Sequence, residues 1–321
     1  MAHIAVSRPL IEGCLSALRS EHEVQMHDVP GEGAPTEEYL IDIAQDADAL
    51  VTTVDDPVTE AVLDASAHLH MVAQYGVGVD NIDLEAAEAR GITVTNTPGV
   101  LTDATADFTW ALLLAVARNV DAADAYVRDG KFKRWETTLL LGMELRNKTL
   151  GIVGMGRIGA AVARRALGFG MRVVYHNRQR ANPTVERQHN AHYVAFDTLL
   201  DTSDVVSLHC PLNDDSHHLI DAAALRRMKD TALLINTARG PVVDEAALVA
   251  ALRDGEIAGA GLDVFEAEPE VHPGLREQDR VVLAPHLGSA TRAARTRMGE
   301  MVAEAVLAAF AGAENVPYRV V

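Results

Sequence analysis

The sequence predicts an α/β protein built from two doubly wound parallel-sheet domains, and three observations carry the prediction. Short β-branched runs alternate with helix-period segments along the chain, one long apolar helix and a charged stretch interrupt the alternation, and a glycine-rich turn follows the first strand after the interruption. In order, the run HIAVS leads to a helix at 11–19, EVQMHDV to a helix at 37–47, and ALVTT to a helix at 59–65. The strand MVAQY, a helix at 84–90 and the strand TVTNT complete the first set. The segment 104–120 then places Phe108, Leu112, Ala115 and Val116 on one stripe and Trp110, Leu113, Leu114 and Ala117 on another, which leaves little polar surface. A joint between domains or subunits would bury such a helix, as would an ordinary core.

After the charged stretch 128–148, the alternation resumes with TLGIVG, a helix from Arg157, RVVYH, VVSLH, TALLINTA, a helix from Asp244, AGAGLDVF and VVLAP. No strand able to extend this second sheet follows the amphipathic segment 291–310, so that segment is expected to return to the first domain. The division expected is 1–101 with 291–321, and 102–290, with a cleft between the two.

A chain of 321 residues, 48% hydrophobic, can bury the cores of two domains. No apolar run approaches the ~20 residues that span a bilayer, and MAHIAVSRPL lacks the apolar stretch of a secretory signal, so the cytoplasm is the expected location. Cys14 and Cys210 are too few and too far apart for a disulfide framework and read as reduced thiols. The net charge of −18 disfavours nucleic acid or anionic membrane as a partner, and an anionic ligand then needs a local cationic site. The pairs His68 and His70, His189 and His192, and His217 and His218 lack a carboxylate or thiol at ligand spacing, so they read as surface or packing residues and no metal site is expected.

Gly154-Met155-Gly156-Arg157-Ile158-Gly159 fits a dinucleotide fingerprint, and its place between a strand and a helix gives it weight. Gly154 makes the tight turn, Gly156 admits a pyrophosphate against the backbone, and Gly159 lets helix and strand pack closely. Where an NAD site usually carries an acidic residue, this chain has His176, Asn177 and Arg178. Arg178, helped by Arg180, can pair with a 2′-phosphate, which favours NADP over NAD. The alternative is that both arginines are solvated loop charges and either cofactor is accepted.

Three segments at late strand ends carry chemistry-capable side chains: INTARG with Arg239, GLDVFEAEP with Glu268 and APHLGS with His286. With the fingerprint, their order and spacing resemble the D-isomer-specific 2-hydroxyacid dehydrogenase family over essentially the whole chain. The run VTNTPGVLTDATADFTWALL is most similar to its glyoxylate and hydroxypyruvate reductase branch. The resemblance implies a flavodoxin-like substrate domain, a Rossmann nucleotide domain and an active site in their cleft. It also implies NADPH-dependent reduction of a small 2-keto acid to the D-2-hydroxy acid, with NAD(H) possible.

Arg239 is implied to hold the substrate carboxylate and polarise its carbonyl, His286 to supply the proton, and Glu268 to orient the imidazole. Glu266 is a rival carboxylate, but the residue directly before Pro269 matches the family. The loop at 75–80 is implied to receive the carboxylate on the N–H groups of Val77 and Gly78. Cofactor contacts are implied for Gly154, Gly156, Arg157, Ile158, Gly159, Asn177, Arg178, Cys210, Pro211, Thr237, Ala238, Asp263 and Gly288. The loop near 135–141 is implied to reach a partner subunit, and a homodimer is expected.

Other activities remain in view. A 2-ketogluconate reductase would share this motif set, with pocket residues at 51–54, 139–141 and Arg292 deciding. D-3-phosphoglycerate oxidation is weaker, because the loop at 75–80 has no extra cation. Formate oxidation is disfavoured by Glu in place of Gln beside the histidine, and phosphite oxidation by the absence of lysine before Lys131. A non-enzymatic reading, an NAD(P)H-sensing corepressor-like protein, is weakened because the chain ends soon after its closing helix.

Overall fold

The computed structural model describes residues 1–31 and 33–321. It divides into two compact units, Met1–Leu101 with Ser289–Val321, and Thr102–Gly288.

In the first unit, β1 (His3–Val6), β2 (Glu23–Met26), β3 (Ala49–Thr52), β4 (Met71–Gln74) and β5 (Thr93–Thr95) form a parallel sheet of order β2-β1-β3-β4-β5. Every residue of β3 and β4 is buried, which is why these strands read as unbroken apolar runs rather than alternating ones. Leu40, Ile43, Leu50, Val62, Val72 and Val94 build the core on one face. The closing helix Arg292–Phe310 packs in this unit against β4 and the short helix Ser16–Arg19. Tyr75 Oη donates to Arg295 O at 2.5 Å, and burial pushes its phenol above the ordinary range. Beyond that helix the chain end runs antiparallel along β5, with Val320 N–H on Val94 O at 2.7 Å.

The second unit holds β6 (Thr149–Val153), β7 (Arg172–His176), β8 (Ala191–Tyr193), β9 (Val205–Leu208), β10 (Leu233–Asn236), β11 (Gly259–Leu262) and β12 (Val281–Leu283). Their order is β12-β11-β10-β9-β6-β7-β8, again all parallel. Strand order reverses between β6 and β9, and at such a switch point the carboxyl ends of an open sheet leave a crevice.

The long apolar helix is Thr102–Arg118, a core helix of this unit that packs on β10, β11, β12 and the helix Arg157–Gly168. Trp110 donates Nε1–H to Val162 O at 3.1 Å and stacks on Phe169 at 4.4 Å between centroids. It ends at Arg118 because Asn119 turns left-handed at φ 52°, and a further helix, Val120–Arg128, occupies residues the sequence reading left unassigned between the segment 104–120 and the charged stretch 128–148. The expected helix at 11–19 is only the single turn Ser16–Arg19. Four short helices, Pro183–His189, Phe196–Thr202, Ala222–Arg227 and Pro273–Arg276, and the strand β8 were not anticipated. Cys14 is buried, Cys210 is half-buried, and both are free. Among the described residues no helix is long and apolar enough to cross a membrane.

Candidate active site

The glycine turn follows β6 at the switch point. Gly154 sits at φ +99°, and a Cβ there would lie 2.5 Å from the His209 carbonyl carbon and 2.6 Å from Cys210 N, so only glycine fits between β6 and the loop after β9. Around Gly156, by contrast, there is open space, and this residue caps the helix Arg157–Gly168. An exposed helix start with room for backbone contact is the geometry that accepts a pyrophosphate, so these residues fit a dinucleotide. Asn177 turns its side chain onto the turn, accepting Met155 N–H on Oδ1 at 2.6 Å. The turn is therefore held from the end of β7.

Next to Asn177, Arg178 is largely exposed and its Nη1 lies 3.3 Å from Asp215 Oδ2, itself exposed. An exposed pair of this kind contributes about 0–1 kcal/mol, so Arg178 can exchange partners at small cost. Arg180 differs. Its Nε and Nη2 grip Glu186 at 2.7 and 3.0 Å, and that guanidinium together with the Tyr175 hydroxyl holds the Glu186 carboxyl down at about 2. The help expected from Arg180 is thus committed elsewhere. Burial raises the Cys210 thiol to about 11 and keeps it neutral, while Pro211 is exposed beside it.

Arg239, Glu268 and His286 lie on the loops that leave the carboxyl ends of the neighbouring strands β10, β11 and β12. The Arg239 turn is shaped by buried Asn236, whose Nδ2 donates to Arg239 O at 2.9 Å and whose Oδ1 accepts Ala238 N–H at 3.0 Å. Arg239 Nη1 donates to Ala238 O at 2.8 Å. The following residue, Gly240, is pressed on the backbone of Phe265 and Glu266 so closely that any side chain would collide. The Arg239 and Glu268 loops therefore touch main chain to main chain. Thr109 gives its hydroxyl proton to Thr105 O at 2.8 Å, so at the 2.9 Å contact between the two hydroxyls Thr237 is the donor.

Glu268 precedes Pro269 through a cis peptide bond. Its Oε1 accepts Phe265 N–H at 2.9 Å, and its Oε2 lies 2.8 Å from His286 Nδ1. An ionised carboxylate only accepts, so Nδ1 carries the proton of this bond. Among the described residues, His286 Nε2 has no hydrogen-bond partner.

His286 is left-handed at φ 53°, a conformation that must be held by its surroundings. Asp263 holds it. The Asp263 carbonyl accepts His286 N–H at 2.8 Å, while its Oδ1 and Oδ2 accept the N–H groups of Leu287 and Gly288 at 2.6 and 2.7 Å. Burial pushes the Asp263 carboxyl up to about 6, against the two amides that favour its charged form. Asp263, implied by the resemblance to be a cofactor contact, thus caps local backbone twice.

Val77 and Gly78 belong to the first unit, on the loop after β4. The sequence reading did not single out Gln74, Asn81 or Asn96, whose side chains brace this loop, and it gave His218 no carboxylate partner, whereas its Nε2 lies 2.6 Å from Glu266. A polar residue closing the apolar strand MVAQ was the available signal for Gln74. His218 and Glu266 are 48 residues apart, and nothing in the sequence joins them.

A glycine turn at the switch point of a parallel sheet, with a carboxylate-backed imidazole and a guanidinium at its strand ends, defines a nucleotide-dependent α/β oxidoreductase. Comparison with known proteins sharpens this. Residues 110–288 match the family described as D-isomer specific 2-hydroxyacid dehydrogenase, NAD binding domain. The glyoxylate reductase of Thermococcus litoralis is 49% identical over 318 residues, 98% of this chain and 95% of the relative. The TT0316 protein of Thermus thermophilus superposes with a TM-score of 0.92 at 48% identity, covering 99% of this chain and 100% of that one. A Sinorhizobium meliloti NADPH-dependent glyoxylate/hydroxypyruvate reductase, solved with NADP and malonate, superposes with a TM-score of 0.87 at 33% identity, covering 99% of this chain and 96% of its own. The chain belongs to the D-isomer specific 2-hydroxyacid dehydrogenase family, and it is an NAD(P)-dependent dehydrogenase acting between a 2-keto acid and a 2-hydroxy acid.

Proposed function

We propose that this chain reduces glyoxylate or hydroxypyruvate to the D-2-hydroxy acid with NADPH. The observation that carries the reading is the 2.8 Å contact of Glu268 with His286 Nδ1, on loops adjoining that of Arg239. The relatives named glyoxylate reductase supply the substrate class.

When bound, the reduced nicotinamide supplies the hydride. His286 delivers a proton from Nε2 to the substrate oxygen, and Glu268 keeps the ring in the orientation that presents that atom. Arg239 holds the carboxylate and draws charge from the adjacent carbonyl through its planar donors. Val77 and Gly78 offer backbone N–H groups to the same carboxylate. Gly154, Gly156, Arg157, Ile158 and Gly159 receive the pyrophosphate; Asn177 braces that turn; Cys210 and Pro211 border the adenosine. Thr237, Ala238, Asp263 and Gly288 border the nicotinamide. Thr237, having spent its proton on Thr109, can accept from the carboxamide.

NADPH is chosen over NADH on Arg178, whose exposed Asp215 contact yields readily to a 2′-phosphate. Replacing it, Arg178→Ala, raises the KM for NADPH roughly 10- to 100-fold and leaves that for NADH nearly unchanged. The chain is further proposed to act as a homodimer, because Val127, Phe132, Trp135 and Leu141 are exposed along one stretch of the second unit. Sedimentation is expected to give twice the mass of 34.5 kDa.

The deciding experiment follows nicotinamide absorbance with NADPH or NADH and a panel of glyoxylate, hydroxypyruvate, 2-ketogluconate and pyruvate. Rapid NADPH oxidation with one of the first two is expected. Faster turnover of 2-ketogluconate reassigns the substrate, and no turnover with either cofactor overturns the reading.

A further inference from the structure

The loop after β4 shows a one-sided hydrogen-bonding pattern. Gly76 O accepts Thr97 N–H at 2.8 Å, Val77 O accepts Asn96 Nδ2–H at 2.8 Å, and Gly78 O accepts Gln74 Nε2–H at 3.1 Å. Among the described residues, the N–H groups of Val77, Gly78 and Val79 have no acceptor. In a trans peptide the C=O of one residue and the N–H of the next point in opposite directions. Each carbonyl drawn inward therefore turns one N–H outward: Thr97 sets that of Val77, Asn96 that of Gly78, and Gln74 that of Val79.

The orientation of Gln74 is itself determined. Asn81 gives Nδ2–H to Thr53 O at 3.0 Å and to Asp56 O at 2.8 Å, so its Oδ1 faces Gln74 Nε2, at 2.8 Å. On the other side, Thr52 Oγ1 donates to Gln74 Oε1 at 2.7 Å, across the β3–β4 register. Thr52 and Gln74 are fully buried, so no water can replace these bonds. A side-chain amide is needed at position 74: its two N–H groups serve two acceptors while its oxygen serves a donor.

We propose that Asn96 and Gln74 are positioning residues for the substrate carboxylate, holding the Gly78 and Val79 N–H groups outward so that Val79 joins Val77 and Gly78 as a third main-chain donor. This rests on the reading above that the loop binds a 2-keto acid. Neither side chain contacts substrate; each acts through the peptide whose carbonyl it holds.

The test compares wild type, Asn96→Asp and Asn96→Ala by KM and kcat for the preferred keto acid, and by KM for NADPH, between pH 5 and 8. At pH 8 the Asp carboxylate faces the Val77 carbonyl, repels it and swings the peptide, so the keto-acid KM rises about tenfold with kcat within about threefold of wild type. As the pH is lowered towards 5 a growing share of the Asp is protonated and donates again, so the ratio of variant to wild-type KM falls below its value at pH 8, titrations common to both chains cancelling in the ratio. Asn96→Ala raises KM by a similar factor at every pH, without recovery. Gln74→Glu is expected to follow Asn96→Asp, its effect passing through the Val79 N–H rather than that of Gly78. A ratio that stays flat with pH for Asn96→Asp, an unchanged KM for Asn96→Ala, or an NADPH KM that rises in step overturns the inference while leaving the enzymatic reading intact. A wild-type chain that turns over no keto acid removes both.

Discussion

Glu266 and Glu268 each hold a histidine, and exposure does not tell the pairs apart: the side chains of His218 and Glu266 are 34% and 33% exposed, those of His286 and Glu268 30% and 27%. What differs is the use made of the rest of each carboxylate. Glu268 anchors its second oxygen on Phe265 N–H within its own turn and holds His286 by Nδ1. Glu266 instead holds His218 by Nε2, accepts Glu245 N–H at 3.1 Å, and gives its own N–H to Glu245 Oε1 at 2.8 Å, while His218 N–H reaches Pro241 O. The second pair stitches three loops together, and the first presents one imidazole. Residue type alone therefore does not separate the imidazole proposed as proton donor from a structural one; the other partners of the carboxylate differ between them.

That contrast can be broken by substitution. The largest effect is expected from His286→Ala, with kcat down about a thousandfold and NADPH affinity within about twofold, because a proton donor acts in the chemical step. Loss of NADPH binding with turnover preserved is the opposite result, visible in a fluorescence titration beside the steady-state rates. Glu268→Gln comes next. It keeps the shape but replaces an acceptor-only carboxylate by an amide whose NH2 can turn to Nδ1 and misorient the ring, and kcat/KM should fall about tenfold to a hundredfold.

A third measurement concerns Asp263, whose carboxyl is raised to about 6 by burial. Below that pH it is protonated, accepts less well from Leu287 and Gly288, and loosens the His286 turn, so kcat/KM should decline as pH falls through about 6. Folding stability moves the other way. A raised carboxyl binds its proton more tightly folded than unfolded, so its contribution is full below the ordinary carboxylate range and lost as pH rises through about 6. Thermal unfolding and a pH–rate profile over the same interval test both signs, and an activity that holds steady below that pH removes Asp263 from the mechanism. The smallest effect belongs to Glu266→Gln. Turnover should stay within about threefold, and the melting temperature should fall by only about 1–3 °C, since the bond is one-third exposed. A turnover loss matching that of Glu268→Gln would make the two pairs equivalent.

The strand rhythm was legible because strands such as β3, β4, β9 and β10 are buried on both faces and concentrate apolar residues in short runs. The glycine turn was legible because the close approach at Gly154 excludes every side chain. Short helices such as Phe196–Thr202 and Ala222–Arg227 were not, since they present only two buried side chains each and owe their form to the sheet beneath. The break at Asn119 was hidden for a related reason: a left-handed residue between two helical stretches leaves the apolar pattern nearly unbroken. His218 with Glu266, and Gln74 with Thr52 and Asn81, escaped because their meaning arises only where distant strand ends meet.

A receptor made of main chain has no side chain of its own to lose. The amides of Val77, Gly78 and Val79 survive most substitutions of the residues that carry them, whereas a single methylene or charge altered at buried Gln74 reaches all the way to the loop. If the loop takes the acid group as proposed, drift or an engineer can restyle the visible surface around a keto acid's tail while the grip on its acid group is inherited unchanged, and the vulnerable positions are the ones a surface survey would never choose.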